Sequence, residues 1–229
     1  MTSTRTALVT GGTGGLGTAT ISAFLAAGWR VVAPVRPGST AWRPEGAVVV
    51  EADVMVEADV RAAVGVAAGD ERAPLRAVVN LVGGFASGGL IADTPVEDFE
   101  AMLALNLRPT YLTTAAALPY LIGAGGGSVV GVSSRAAVSP FPGAAGYVTA
   151  KAALLAFAAA VDVEYRKRGV RCNTVLPSVI DTAANRAAMP DADHGSWVSP
   201  AAIAETILYL ASDVSAPVSG ARIPVYGQA

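Results

Sequence analysis

Tyr147 and Lys151 stand four residues apart in Tyr147-Val-Thr-Ala-Lys151, and on a helix that spacing puts the phenol and the ammonium on one face. A lone phenol has a pKa of about 10, too high to trade protons near neutrality. A fixed positive charge beside it favours the phenolate and is expected to lower that value, which makes Tyr147 a candidate general acid or base. Lys151 is one of two lysines in 229 residues, so a lysine-rich surface does not account for the pairing. The plain alternative, a helical tyrosine and a solvated lysine, has to be weighed against the rest of the chain.

A second candidate is Thr10-Gly-Gly-Thr-Gly-Gly-Leu-Gly17, placed between a β-branched run and an apolar helical pattern. Glycines there permit a tight turn and let backbone N–H groups and a helix N-terminus approach a pyrophosphate. Among 25 glycines the spacing alone is weak, and its position between strand and helix gives it weight.

The elements that must position these residues are legible as alternating patterns. β-Branched runs recur at Ala7–Val9, Arg30–Ala33, Ala47–Val50, Ala77–Leu81, Ser128–Val132, Val170–Leu176 and Ala221–Val225, with alanine- and leucine-rich stretches between them. That alternation predicts an α/β fold with helices packed on a buried parallel sheet. Thr94-Pro95-Val96-Glu97 predicts a capping box with proline at the first helical position, and Ser199-Pro200 repeats the cap and proline. Pro109 cannot donate to the carbonyl of Leu105, which predicts a kink beside Asn106. Gly123–Gly127 reads as a plain helix-to-strand loop. With no linker and no internal repeat, residues 1–229 are expected to form one domain.

Gly11, Asn80, Ser134 and Pro177 all fall just past the C-terminal ends of predicted strands. In an open parallel sheet that is the edge where ligands bind. Taken together, Thr10-Gly11-x-x-x-Gly15-x-Gly17 and Tyr147-x-x-x-Lys151 resemble the short-chain dehydrogenase/reductase family. The likeness extends to Asp53-Val54 after the third strand, Asn80-Leu-Val-Gly83 after the fourth, Asn106, Ser134 thirteen residues before Tyr147, and Pro177 followed by Thr182. It covers almost the whole chain.

The resemblance implies a single doubly wound Rossmann domain with a seven-stranded parallel sheet, binding NAD or NADP. It implies catalytic parts for four residues. Tyr147 would be the general acid or base, Ser134 would hydrogen-bond the substrate oxygen, Lys151 would hold the nicotinamide ribose, and Asn106 would complete a water-mediated proton path. Cofactor contacts are implied at Gly11, Thr13, Gly15, Leu16, Gly17, Arg36, Asp53, Val54, Asn80, Gly83, Tyr147, Lys151, Pro177, Val179 and Thr182.

Cofactor choice turns on the end of the second strand, Val31-Val-Ala-Pro-Val-Arg36. An acidic side chain there would accept both ribose hydroxyls of NAD, whereas an arginine attracts a 2′-phosphate. Val35 occupies the acidic position and Arg36 follows it, so NADP(H) is favoured over NAD(H).

Some positions depart from the family pattern. Ser178 stands where glycine usually follows the proline, and the tail Val225–Ala229 lacks the usual acidic-glycine ending. The loops 83–89 and 181–193, with Trp197, are similar to the dihydropteridine reductase branch. That branch typically lacks the serine, so Ser134 pulls toward carbonyl reduction and the loops toward quinonoid pterins. A substrate lid is expected over about 183–198. Met189 and Trp197 would face substrate from it, with Phe85 and Phe141 lining the other side. His194, the only histidine, is expected to be a lid surface residue.

Composition narrows the field. Hydrophobic residues make up 52% and charged residues 15%, with net charge −2, which excludes disorder and leaves no basic stripe for nucleic acid. One histidine and one cysteine offer no metal-ligand cluster, and Cys172 in its apolar stretch reads as a buried small hydrophobe. No run approaches the ~18 apolar residues of a membrane span, and the N-terminus shows no signal peptide. The expectation is a cytoplasmic oxidoreductase that transfers hydride between nicotinamide and a carbonyl or secondary alcohol. By analogy it would be a homodimer or homotetramer. Pterin reduction and a non-enzymatic NADP-binding regulator or scaffold are the alternatives.

Overall fold

The computed structural model describes residues 4–39 and 45–228, so the ends of the chain, Met1–Ser3 and Ala229, lie outside the described residues. Seven strands form one sheet: β1 (Thr6–Thr10), β2 (Arg30–Val35), β3 (Val48–Glu51), β4 (Leu75–Asn80), β5 (Gly127–Val132), β6 (Val170–Pro177) and β7 (Arg222–Val225). Their order is β3-β2-β1-β4-β5-β6-β7, and every pairing is parallel. Each β-branched run of the sequence supplies one strand. The order reverses between β1 and β4, which opens the crevice where such sheets bind ligands.

The described residues form six α-helices: α1 (Gly15–Ala26), α2 (Glu57–Ala68), α3 (Val96–Gly123), α4 (Ala145–Tyr165), α5 (Ala183–Ala188) and α6 (Pro200–Ala211), of which all but the short, unburied α5 pack on the sheet. Alternate residues of β1 point to opposite faces. Ala7 and Val9 join Ile21 and Phe24 of α1 and Ile203 and Ile207 of α6 in one core. Leu8 joins Val64 of α2, Leu121 of α3 and Val161 of α4 in the other. Burying each large apolar side chain contributes about 1.5–3 kcal/mol, and these two layers hold the sheet edge rigid.

Ser199 caps α6 by accepting the Ala202 N–H, with Pro200 in the first turn. Thr94 does not form the expected capping box. Its hydroxyl donates to the Gly89 and Leu90 carbonyls and ties a 3-10 turn at Ile91–Asp93, while Pro95 takes the cap position of α3 without a side-chain cap bond. The nearby turn out-competes the helix for the same hydroxyl. α3 then runs unbroken through Pro109 and Pro119.

Ala145–Arg168 is long and apolar enough by length and composition to cross a membrane, contrary to the expectation from runs alone. In the fold it is a core helix: Leu154, Leu155 and Val161 are buried, and it carries the buried charges Lys151 and Asp162.

Candidate active site

The glycine loop joins β1 to α1. Gly11 has φ +72°, a left-handed conformation that glycine adopts without strain. A Cβ on Gly17 would collide with the Gly11 carbonyl, so loop and helix can close on each other only if position 17 lacks a side chain. The first turn of α1 has no side-chain cap, which leaves its amides for an external acceptor. Leu16 is buried in the core, so that position offers only its backbone.

Beside this loop, Gly11, Thr13, Arg36, Asp53 and Val54 line one cavity of about 250 Å³. Five of the residues singled out from sequence thus converge. Arg36 is exposed at the end of β2. One oxygen of Asp53 accepts the Met55 N–H at 2.9 Å, which fixes the turn after β3. Asn80, at the end of β4, is buried; its amide donates to Thr114 at 3.1 Å, and among the described residues its Oδ1 has no partner. Pro177 ends β6. Val179 accepts the Val198 N–H at 3.0 Å. Thr182 caps α5 and sets its methyl against Gly15, where an added Cβ would meet it at 2.7 Å. These three positions bring the segment after β6 to the start of α1. A glycine cradle, a helix N-terminus and an adjoining cavity ending at an arginine fit a dinucleotide.

Lys151 is buried, and its Nζ donates to the Val132 carbonyl at 3.1 Å. It also lies 5.8 Å from the Tyr147 ring centroid. Burial pushes the Lys151 ammonium down to about 8. The expectation that this charge lowers the Tyr147 pKa is not met. Burial raises the phenol above its ordinary value of 10.0, and the Ser134 hydrogen bond is what pulls it back. Desolvation of the phenolate is the larger effect.

Ser134 accepts the Ala136 N–H at 3.1 Å and so caps a 3-10 turn, and its own hydroxyl donates to the Tyr147 phenol oxygen, the sense of bond that lowers a phenol's pKa. Asn106 is fully buried. Its Nδ2 donates to the Gly84 carbonyl at 3.1 Å and the Met102 carbonyl at 3.0 Å, and its Oδ1 accepts the Gly84 N–H at 3.2 Å. With those bonds made, the side chain clamps a loop and is not free to relay a proton. A Cβ on Gly83 would fall 2.6 Å from Asn106 Oδ1 and 3.1 Å from Lys151 Nζ, so Gly83, Asn106 and Lys151 pack as one unit.

Phe85 and Tyr147 pack edge to face with centroids 5.0 Å apart, and Phe141 lies 6.3 Å from Phe85. Both phenylalanines are exposed enough to wall a pocket. Met189 and Trp197 belong to a different set: His194 Nε2 bonds the Met189 carbonyl at 2.8 Å and its ring packs 4.4 Å from Trp197. The lone histidine is thereby employed within the loop. No cluster of metal-binding side chains occurs among the described residues. Cys172 is buried, and burial pushes its thiol up to about 12.

Three contributors were not singled out from sequence. Buried Ser133 donates to the Lys151 carbonyl at 2.7 Å, the Val132 carbonyl holds Nζ, and Gly84 pairs with Asn106. Adjacency to Ser134 and Gly83 was the available signal. Ser178, the departure from glycine, donates to the Tyr226 carbonyl at 2.6 Å and anchors the C-terminal tail.

Residues 5–193 match the family model described as short chain dehydrogenase. The chain belongs to the short-chain dehydrogenase/reductase family. It is 32% identical to 2-(R)-hydroxypropyl-CoM dehydrogenase of Xanthobacter autotrophicus, over 97% of both chains. It is 31% identical to the 2,5-dichloro-2,5-cyclohexadiene-1,4-diol dehydrogenase LinX of Sphingobium indicum, over 97% of this chain and 95% of that one. A short-chain type dehydrogenase/reductase from Mycobacterium ulcerans superposes with a TM-score of 0.89 at 26% identity, covering 99% of this chain and 90% of that one. As a member of this family, the protein is an NAD(P)-dependent oxidoreductase acting on a small-molecule CH–OH or C=O group.

Proposed function

We propose that the protein reduces a carbonyl, or oxidises the matching secondary alcohol, with NADP(H), and that Tyr147 is its general acid or base. The observation that carries this reading is the setting of one phenol: Ser134 hydrogen-bonds it, Phe85 packs perpendicular to its ring with centroids 5.0 Å apart, and Lys151 Nζ lies 5.8 Å from its ring. When bound, the cofactor supplies or accepts the hydride.

Ser134 turns its hydroxyl proton from Tyr147 to the substrate oxygen and polarises the carbonyl. Tyr147 gives its proton to that oxygen as negative charge develops, or takes one from the alcohol in reverse. Because burial keeps the phenol protonated across neutral pH, it is charged with the proton that reduction consumes. Lys151, fixed by the Val132 carbonyl, holds the ribose beside Tyr147. Asn106 acts through the Gly83–Gly84 backbone, keeping the wall beside Lys151 in place; a relay at this position runs through backbone carbonyls.

The preference for NADP(H) rests on Arg36 at the rim of the cavity and on Val35 where an acid would select NAD. Gly11, Thr13, Gly15, Leu16 and Gly17 cradle the pyrophosphate, Asp53 and Val54 flank the adenine, and Asn80, Gly83, Pro177, Val179 and Thr182 border the nicotinamide half. Phe85 and Phe141 form one apolar wall, and 183–198, with Met189 and Trp197, is the lid on a single domain. A cytoplasmic homodimer or homotetramer goes with this reading, supported by exposed Tyr111 and Tyr120 on α3 and Val163 on α4.

The test is cofactor oxidation with NADPH and NADH in parallel, over ketones, β-ketoacyl thioesters and quinonoid dihydropterin. Turnover of a carbonyl with NADPH supports the reading; turnover confined to the pterin, or tight NADPH binding with no turnover, overturns it.

A further inference from the structure

A group of four arginines lies at the other edge of the sheet, where the strands begin. Arg5, Arg76, Arg166 and Arg171 line a cavity of about 370 Å³ together with Trp29 and Asp213. Two of these arginines are committed internally. Arg166 pairs with buried Asp162, and Arg171 donates to the Leu210, Ser212 and Val218 carbonyls and to Ser215. Crowding by Arg76 helps burial hold the Arg171 guanidinium below its ordinary pKa.

Arg5 and Arg76 are held far more loosely. Both face the same carboxylate, Asp213, at 3.6 Å and 4.0 Å, and that side chain is 83% exposed. Such long, solvated contacts are worth little. Arg76 is steadied from behind by the Ala124 carbonyl at 2.7 Å, and Arg5 by the face of Trp29 at 4.2 Å. Trp29 is 2% exposed, and among the described residues its indole N–H has no acceptor.

We propose that this cavity binds a phosphate dianion, free or as the phosphoryl group of a small metabolite. Arg5 and Arg76 donate to its oxygens, the Trp29 ring backs the Arg5 guanidinium, and Asp213 swings out as the displaced counterion. Four guanidiniums against two carboxylates, Asp162 and Asp213, match a dianion better than a singly charged ligand. The volume accommodates a phosphoryl group with a short carbon chain. This site does not depend on the catalytic assignment.

The test is thermal unfolding and calorimetric titration of the full chain with inorganic phosphate and with glycerol 3-phosphate, against chloride at equal ionic strength. A saturable calorimetric isotherm is expected, with a rise in Tm that grows with the logarithm of ligand concentration and reaches about 5–10 °C at a hundredfold excess over Kd. Arg36→Gln, which removes the candidate 2′-phosphate contact, should leave that rise intact. Arg5→Gln/Arg76→Gln should abolish it while preserving turnover, and Asp213→Asn should tighten binding. A rise that survives the double variant, vanishes in Arg36→Gln, or is matched by chloride overturns the proposal. Tighter binding of glycerol 3-phosphate than of phosphate identifies a metabolite as the ligand; the reverse identifies free phosphate.

Discussion

Asn106 and Gly84 exchange two hydrogen bonds, side chain to backbone, at 3.1 and 3.2 Å. The amide is fully buried in α3, and the loop it grips carries Gly83, which sits against Lys151. Asn106→Ala leaves the Gly84 N–H and C=O without their partner, at about 1–3 kcal/mol for each group that stays buried. Asn106→Asp keeps the acceptor but loses the donor to Gly84 and Met102. Both variants should lower the urea midpoint. If the clamp positions the site, kcat should fall by more than cofactor affinity, which steady-state kinetics beside cofactor titration would separate.

Lys151 gives a stability signature with a defined sign. Its folded pKa is about 8 against an ordinary 10.5, so between those values the unfolded chain binds more protons than the folded one, and stability rises with pH. Below pH 8 the full cost of burying the ammonium is present; above 10.5 it is gone. Lys151→Met has no such term. The stability difference between wild type and Lys151→Met should therefore move in favour of the wild type by a few kcal/mol between pH 8 and pH 10. Urea unfolding of both proteins across that interval measures it, and a flat difference would show that Nζ is not desolvated.

Tyr147→Phe should keep cofactor binding and lose turnover by a factor of about 10²–10⁴. Ser134→Ala reports on the phenol more subtly. Ser134 lowers a pKa that burial raises, so removing it should move the alkaline limb of alcohol oxidation to higher pH while also cutting kcat. A pH profile of kcat/KM distinguishes this from a serine that only binds substrate, for which the limb would stay put.

Arg36→Asp should shift the kcat/KM ratio toward NADH by about ten- to a hundredfold, the worth of one charge-assisted hydrogen bond gained or lost. Parallel kinetics with both cofactors check it. An unchanged ratio would mean that Arg36, exposed at the cavity rim, does not meet the 2′-phosphate.

The strands were legible because a sheet buried on both faces demands continuous β-branched runs, and Val31–Val35 or Val129–Val132 have no other economical reading. Gly11, Asn80, Ser134 and Pro177 were legible as edge residues because each follows such a run. Interactions across the chain were not. Ser133 reaches the carbonyl of Lys151 eighteen residues on, and nothing local distinguishes it from Ser134. Thr94 looked like a helix cap because the motif is local, yet two carbonyls of the preceding turn took its hydroxyl. The Tyr147 pKa went the other way because spacing reports proximity to charge and carries no information about burial.

Gly15 and Thr182 couple the glycine loop to the segment after β6. A Cβ at position 15 would meet Thr182 Cγ2 at 2.7 Å and Cβ at 3.1 Å. Gly15→Ala should therefore cost about 1–3 kcal/mol by overpacking and raise KM for the cofactor, because the loop and the 182 segment are pushed apart. Thr182→Ser removes the nearer carbon while keeping the hydroxyl that accepts the Asn185 N–H at 3.2 Å. In Gly15→Ala/Thr182→Ser, part of both losses should return, with a coupling of about 1 kcal/mol in a double-mutant cycle. Additive effects would mean that the alanine is accommodated by movement of α1, and that Thr182 is not what demands glycine at this position.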